Sequence, residues 1–206
     1  PTSNLCPQPA AFFLGYAVKQ LLPAPAYFTD NRIVHIASVS DCIAKRPPDW
    51  VQRWDFNDAG VYNTSAEALA AAHALLKIPI LLPPWHVFAY ALYPLRFDKY
   101  GGQVEVDVQA IFQDPIAPRI EPDLKFLGYD LVERWAETTP GKPIPNALGG
   151  GFNCSPLSCN ALSIAHPINS FCLLDHWDDA TKAARDIAIA LPELGCYYIF
   201  GVYRRN

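Results

Sequence analysis

Charge is scarce in this 206-residue chain, and uninterrupted apolar stretches are short. Charged residues make up 17% and apolar residues 51%, a balance that folds into a core rather than staying disordered. The longest apolar candidate, Ile78 to Leu82, contains Pro79 and runs into Pro83 and Pro84. It falls well short of the roughly 18 residues of a membrane span, so no membrane association is expected. The opening Pro1-Thr2-Ser3-Asn4 has no basic segment followed by an apolar one, so no signal peptide is expected either. With a net charge of −4 and a pI near 5.7, basic residues come no denser than pairs such as Arg204-Arg205. A phosphate-binding footprint needs more, which argues against direct contact with nucleic acid.

Catalytic signatures are missing as well. There is no G-x-S-x-G elbow, and no G-K-[ST] follows Gly149-Gly150-Gly151. Those glycines precede a strand-like segment rather than a helix, so they read as a turn. The six cysteines are Cys6, Cys42, Cys154, Cys159, Cys172 and Cys196. They are sparse for a disulfide framework and lie mostly in apolar segments, which predicts reduced thiols in a cytoplasmic protein.

What the chain does contain is a repetition. Phe13-Leu14-Gly15-Tyr16 returns as Phe126-Leu127-Gly128-Tyr129. Ser38-Val39-Ser40-Asp41-Cys42 answers to Ser155-Pro156-Leu157-Ser158-Cys159. Asn57, Tyr62, Ala68, Ala71, Ala72, Leu75 and Leu76 answer to Asn169, Leu174, Ala180, Ala183, Ala184, Ile187 and Ala188 at a constant offset of 112. An internal repeat of this kind governs the reading of a whole fold.

Each copy reads as strand, strand, short strand, helix, strand. Phe12 to Val18 and Phe126 to Val132 carry the aromatic and β-branched residues of strands. Arg32 to Ser40 alternates and predicts a second strand, matched by Phe152 to Asn160. Thr64 with Glu67 forms a capping box, opening a helix that ends by Pro79. Asp175 with Asp178 marks a second helix start, running to Pro192. The small-residue stripes on both helices predict close packing on a sheet. Val87 to Tyr93 and Tyr197 to Tyr203 are closing strands. A hairpin turns at Tyr100-Gly101-Gly102 into the alternating Val104, Val106 and Val108. The fold class is therefore α+β, an internal duplication of antiparallel strands plus one helix, packed as a pseudo-symmetric pair. Residues 1–112 form the first unit, 113–122 a proline-rich linker and 123–206 the second unit.

The densest set of metal-ligand types is Cys154, Cys159, His166, Cys172 and His176, but four residues separate Cys154 from Cys159 and no second knuckle follows. A Cys-His nucleophile built from Cys159 with His166 or His176 has no local signature behind it. Neither a metal nor any other cofactor is expected. Trp50, Arg53 and Trp54 follow Pro47-Pro48, with the tryptophans four apart on one face of a short helix and no counterpart in the second copy. Exposed Trp and Arg dominate binding energy at protein interfaces. The sequence thus points to a non-enzymatic binding or accessory subunit that docks on a larger protein partner. The alternatives are a small enzyme using the Cys/His pair in a cleft between units, and a zinc-stabilised binding module.

Overall fold

A computed structural model describes residues 7–24, 26, 33–40, 56–78, 84–112, 116, 118, 120–134, 152, 154–159, 166–190 and 196–205, the side chains of Leu22 and Cys159 excepted. The elements are β1 (Phe12–Gln20), β2 (Leu22–Pro23), β3 (His35–Ile36), α1 (Ser65–Leu75), β4 (Trp85–Phe97), β5 (Gln103–Glu105), β6 (Leu124–Arg134), α2 (Pro156–Cys159), α3 (Trp177–Ala190) and β7 (Cys196–Arg205). Five strands make one antiparallel sheet in the order β1-β4-β7-β6, with β5 pairing the far end of β4 on the side β1 leaves open. No helix among the described residues is long and apolar enough to cross a membrane.

Strand alternation decides which side each residue faces. Val87 and Ala89 of β4 pack with Ala68, Ala72 and Leu75 of α1. Tyr93, Leu95 and Phe97, in the same phase, pack with Ala180, Ala183, Ala184 and Ile187 of α3. Both helices therefore lie on one face, and their small residues let them sit close to it. The other face is closed by irregular segments carrying Val39, Val61, Val108, Phe112, Phe152 and Leu173. The expected capping box is present: Thr64 Oγ1 accepts from the Glu67 N–H, and Glu67 accepts from the Thr64 N–H. On α1, however, Ala71 is only half-buried and Leu76 is 58% exposed, because the helix ends at Leu75 and Leu76 is its C-cap.

Three predicted strands differ from the expectation. Within the described part of Arg32 to Ser40, residues 33–40, the strand is His35–Ile36, since from Ser38 onward the backbone groups bond to the side chains of Lys19 and Asp130 instead of to another strand. In Phe152 to Asn160, Phe152 bridges to Arg134 but Pro156–Cys159 is a helical turn. Proline has no ladder N–H, and its fixed φ suits the first helical position. The Val104–Val108 strand stops at Glu105, because Asp107 Oδ1 accepts from Gln109 N–H and Ala110 N–H and starts a 3-10 turn. Among the described linker residues, Ile116 is buried in the core, the Glu121 N–H donates to the Tyr16 hydroxyl, and the Glu121 carboxylate takes Ser65 Oγ.

The two Phe-Leu-Gly-Tyr runs adopt one geometry. Strand register shifts between Phe13 and Gly15 and again between Phe126 and Gly128. Gly15 has φ +134° and Gly128 φ +145°, a region open essentially to glycine. Asn57 and Asn169 then build matching turns. Each donates Nδ2 to the bulged leucine carbonyl, Leu14 or Leu127, at 2.8 Å, and each Oδ1 accepts two N–H groups of its own turn. Gly60 (φ 71°) and Cys172 (φ 62°) hold the same left-handed turn position. The turns end in reciprocal backbone bonds, Tyr16 with Tyr62 and Tyr129 with Leu174, which occupy the outer edges of β1 and β6. An edge strand so covered no longer offers a template for stray pairing.

A Cβ at Gly15 would sit on the Tyr62 carbonyl, and one at Gly128 would lie 2.8 Å from both Leu173 Cβ and the Leu174 carbonyl. Gly15→Ala and Gly128→Ala are each expected to lower stability by about 3 kcal/mol, from backbone strain plus the clash. Urea denaturation measures this, and a loss below about 1 kcal/mol at both positions would show that the bulges are not glycine-dependent.

Candidate functional site

The residues singled out in the sequence are scattered. Trp50, Arg53 and Trp54 lie outside the described residues. Cys159 ends α2. Cys154 is half-buried, and its carbonyl accepts the Glu133 N–H at 2.7 Å. Cys172 is 2% exposed, and its Sγ donates to the Leu157 carbonyl at 3.1 Å, so its thiol sits in the core beside α2. His166 is half-buried, and His176 is exposed just ahead of α3. Among the described residues, no three His, Cys, Asp or Glu side chains converge as metal ligands. Cys154, Cys172 and Cys196 form no disulfide with one another.

Two charged residues unnoticed in the sequence stand at the centre of the molecule. Asp130, fully buried on β6, accepts four hydrogen bonds. Oδ2 takes Ser38 Oγ–H and the Val39 N–H, both at 2.8 Å; Oδ1 takes Ser155 Oγ–H at 2.6 Å and the Leu131 N–H at 2.9 Å. Lys19, 1% exposed on β1, donates from Nζ to the carbonyls of Ser38 (2.9 Å), Val39 (2.6 Å) and Ser40 (3.0 Å), with the Tyr90 ring 5.7 Å away. One backbone segment thus meets a carboxylate on its donor side and an ammonium on its acceptor side. Burial pushes the Asp130 carboxyl above its usual range, and its four hydrogen bonds work against that rise. The signal was in the repeat: the Phe-Leu-Gly-Tyr run is followed by Ala17 in one copy and Asp130 in the other, and Lys19 aligns with Val132. A charge where the twin position is apolar needs an internal partner.

A groove of about 300 Å³ opens where the end of α1 meets the start of β4 and the end of β7. Leu69, Ala72, Leu76 and Trp85 supply its apolar wall, and His73, His86 and Arg205 its polar one. Arg205 is already engaged, with Asp123 at 2.9 Å, Glu121 at 3.6 Å and Ser65 Oγ. Burial, then the nearby Arg204 and His35, hold the His86 imidazole below its ordinary 6.5, so it is neutral at pH 7. Trp85 Nε1–H is shielded from water and has no acceptor among the described residues. Such a donor left unsatisfied costs about 1–3 kcal/mol, which a ligand acceptor would recover.

A tyrosine cluster lies on the helix-bearing face of the sheet. Gln8 Nε2 donates to the hydroxyls of Tyr93 (2.9 Å) and Tyr129 (3.0 Å), while Trp177 packs on both rings. Burial raises the Tyr93 phenol well above its usual range and the Tyr203 phenol above it too. They stay protonated at neutral pH and act as packing and hydrogen-bonding groups.

Removing Asp130 strands two hydroxyls and two N–H groups, and removing the Lys19 ammonium strands three carbonyls. Asp130→Ala is expected to cost about 3–5 kcal/mol, and Lys19→Met a similar amount. A double variant less destabilised than the sum in urea denaturation would show that the two groups are coupled through residues 38–40, while strict additivity would show them independent. For His86 the folded imidazole binds its proton more weakly than the unfolded one. The unfolded chain therefore takes up protons first, and stability falls as pH drops below about 6.5 until the folded group also titrates. His86→Gln is expected to flatten that part of the pH profile between pH 7 and 5, measured by urea midpoints; an unchanged slope would assign the titration elsewhere.

No protein-family model, curated protein or solved structure matches this chain.

Proposed function

We propose that this chain is a non-enzymatic, cytoplasmic protein-binding subunit made of two fused copies of one strand–helix unit. Residues 12–93 and 126–203 are the copies, related by a pseudo-twofold axis between Tyr90 and Val202. Support comes from the register of the central pair: Phe88 faces Arg204 and Leu92 faces Phe200, so the 112-residue offset carries each pair onto the other. The matched bulges, asparagine turns and helix starts at Ser65 and Trp177 agree with that axis. The absence of a disulfide among Cys154, Cys172 and Cys196 suits a reducing compartment.

The observation that carries the binding reading is the α1–β4 groove. It is apolar, open, and furnished with a shielded donor in Trp85, whereas the buried ionic groups Asp130 and Lys19 are committed to the protein's own backbone. A catalytic group keeps a face toward the site where substrate sits; Asp130 has none left. The occupant is a partner protein that inserts an apolar side chain against Leu69 and Leu76 and offers a carbonyl to Trp85 Nε1–H. The segment holding Trp50, Arg53 and Trp54 has the residue types of an interface hot spot. That segment is the second part of the docking surface.

Leu76→Asp, at an exposed position, is expected to leave the melting temperature nearly unchanged and to abolish stoichiometric co-purification of the partner seen with the wild-type chain. Trp54→Ala is expected to weaken the same complex by about 2 kcal/mol or more, measured by calorimetry with the purified partner. Undiminished binding by both variants would end this reading. A stability loss of about 3–5 kcal/mol in Trp54→Ala would instead make that indole a core residue.

A further inference from the structure

The two helices are unequally covered. Thr181, Ala183 and Ala188 of α3 are buried, as is Tyr197 at the start of β7. The 112-residue offset carries them onto Leu69, Ala71, Leu76 and Trp85, of which Leu76 is 58% exposed and the others are half-buried. The cover on α3 comes from the far end of β4 and the hairpin that follows it. Leu95 and Phe97, each 2% exposed, belong to one buried cluster with Ala184, Ala188 and Tyr197. Arg185 Cζ lies 5.2 Å from the centre of the Phe97 ring. The turn passes so close to α3 that a Cβ on Gly101 would come within 2.9 Å of Ile189 Cδ1. Asp98 shapes that turn, its Oδ1 accepting the Tyr100 and Gly102 N–H groups.

Leu95 and Phe97 stand two and four residues past Tyr93, whose counterpart is Arg205, where β7 ends. Among the described residues, α1 therefore receives no such cover. The α1–β4 groove is lined by the counterparts of residues that surround Phe97: Ala72 for Ala184, His73 for Arg185, Leu76 for Ala188 and Trp85 for Tyr197. An aromatic ring is the side chain that removes most apolar area from water there, about 150–250 Å². Exposed Lys77 takes the place of Ile189, so a turn passing over the end of α1 meets a cation where the α3 turn meets a methyl group. An acid in that turn, as at Asp98, complements it in charge. On the strength of the groove-docking reading, we infer that the partner presents a β-hairpin whose strand ends in an aromatic residue followed by an acidic, glycine-closed turn. The ring seats on Ala72, His73 and Leu76 beside Trp85, and the acid faces Lys77.

The probe is a disulfide-closed peptide hairpin with the sequence of residues 94–106 of this chain, titrated into the ¹⁵N-labelled full chain. It should shift Trp85 Nε1–H and the amides of His73 and Leu76 with saturation. Phe97→Ala in the peptide should weaken binding at least about tenfold, as loss of an interface anchor does. Leu76→Asp in the chain should abolish it, with circular dichroism confirming the fold and His73→Ala serving if that variant is unfolded. Residues 95–106 appended directly after Asn206, the counterpart of Pro94, raise the hairpin to an effective concentration in the millimolar range. That fusion should shift the same signals without added peptide. Four results would each overturn the inference: no shift in the fusion or with peptide up to about 1 mM, equal binding by the Phe97→Ala peptide, undiminished binding in Leu76→Asp, or tighter binding of an amphipathic helical Leu/Lys peptide. A partner that co-purifies with the wild-type chain and is lost from Leu76→Asp would then keep the groove as a docking site and strike the hairpin alone. A partner retained by Leu76→Asp would strike both.

Discussion

The burial of Lys19 and Asp130 around one stretch of backbone is the constraint on which the coil-covered face depends. A coil layer over a sheet exposes peptide groups to the interior, where each unpaired one costs free energy comparable to a lost hydrogen bond. Here Asp130 satisfies the Val39 N–H and Lys19 satisfies three successive carbonyls, so Ser38 to Ser40 can lie flat over the sheet without a partner strand. Ser155 reaches the same carboxylate, so Asp130 also fixes the start of α2. One ionic arrangement therefore anchors the loop layers of both halves.

The outer edges of the sheet are governed by a different device. Each bulge turns a leucine carbonyl outward, and an asparagine side chain takes it while shaping the turn that covers the edge. Asn57 also bonds Asn63, and Asn169 bonds Asp175, just ahead of α1 and α3. The asparagine thus couples strand, turn and helix start in one short circuit. Cys172 fits this account as a turn residue in the position Gly60 holds in the first half, with its thiol turned into the core. Its left-handed φ belongs to the turn rather than to a reactive site.

With Asp130 and Lys19 committed in this way, two cavities among the described residues lie at the two ends of the β4–β7 pair. One is apolar with a shielded indole donor, and the other is lined by two guanidiniums and two carboxylates. They differ in face as well as in end, so occupancy of one does not sterically block the other.

Local interactions were legible from the chain alone. The capping box of Thr64 and Glu67, the stripe of Ala180, Ala183, Ala184 and Ile187, and the strands at Phe12, Val87, Phe126 and Tyr197 involve neighbours within a turn or alternate positions of one strand, so their pattern is written in sequence spacing. The α+β class and the antiparallel sheet follow from those elements. The clamp was not legible, because Asp130 meets Ser38 across 92 residues and Ser155 across 25, and no periodicity records such a meeting. The same holds for Arg96 and Arg134, which share a cavity only because β7 runs between their strands. Ser38 to Ser40 reads as a strand by alternation, yet tertiary structure overrode it: two buried charges offered its peptide groups better partners than any strand edge within reach.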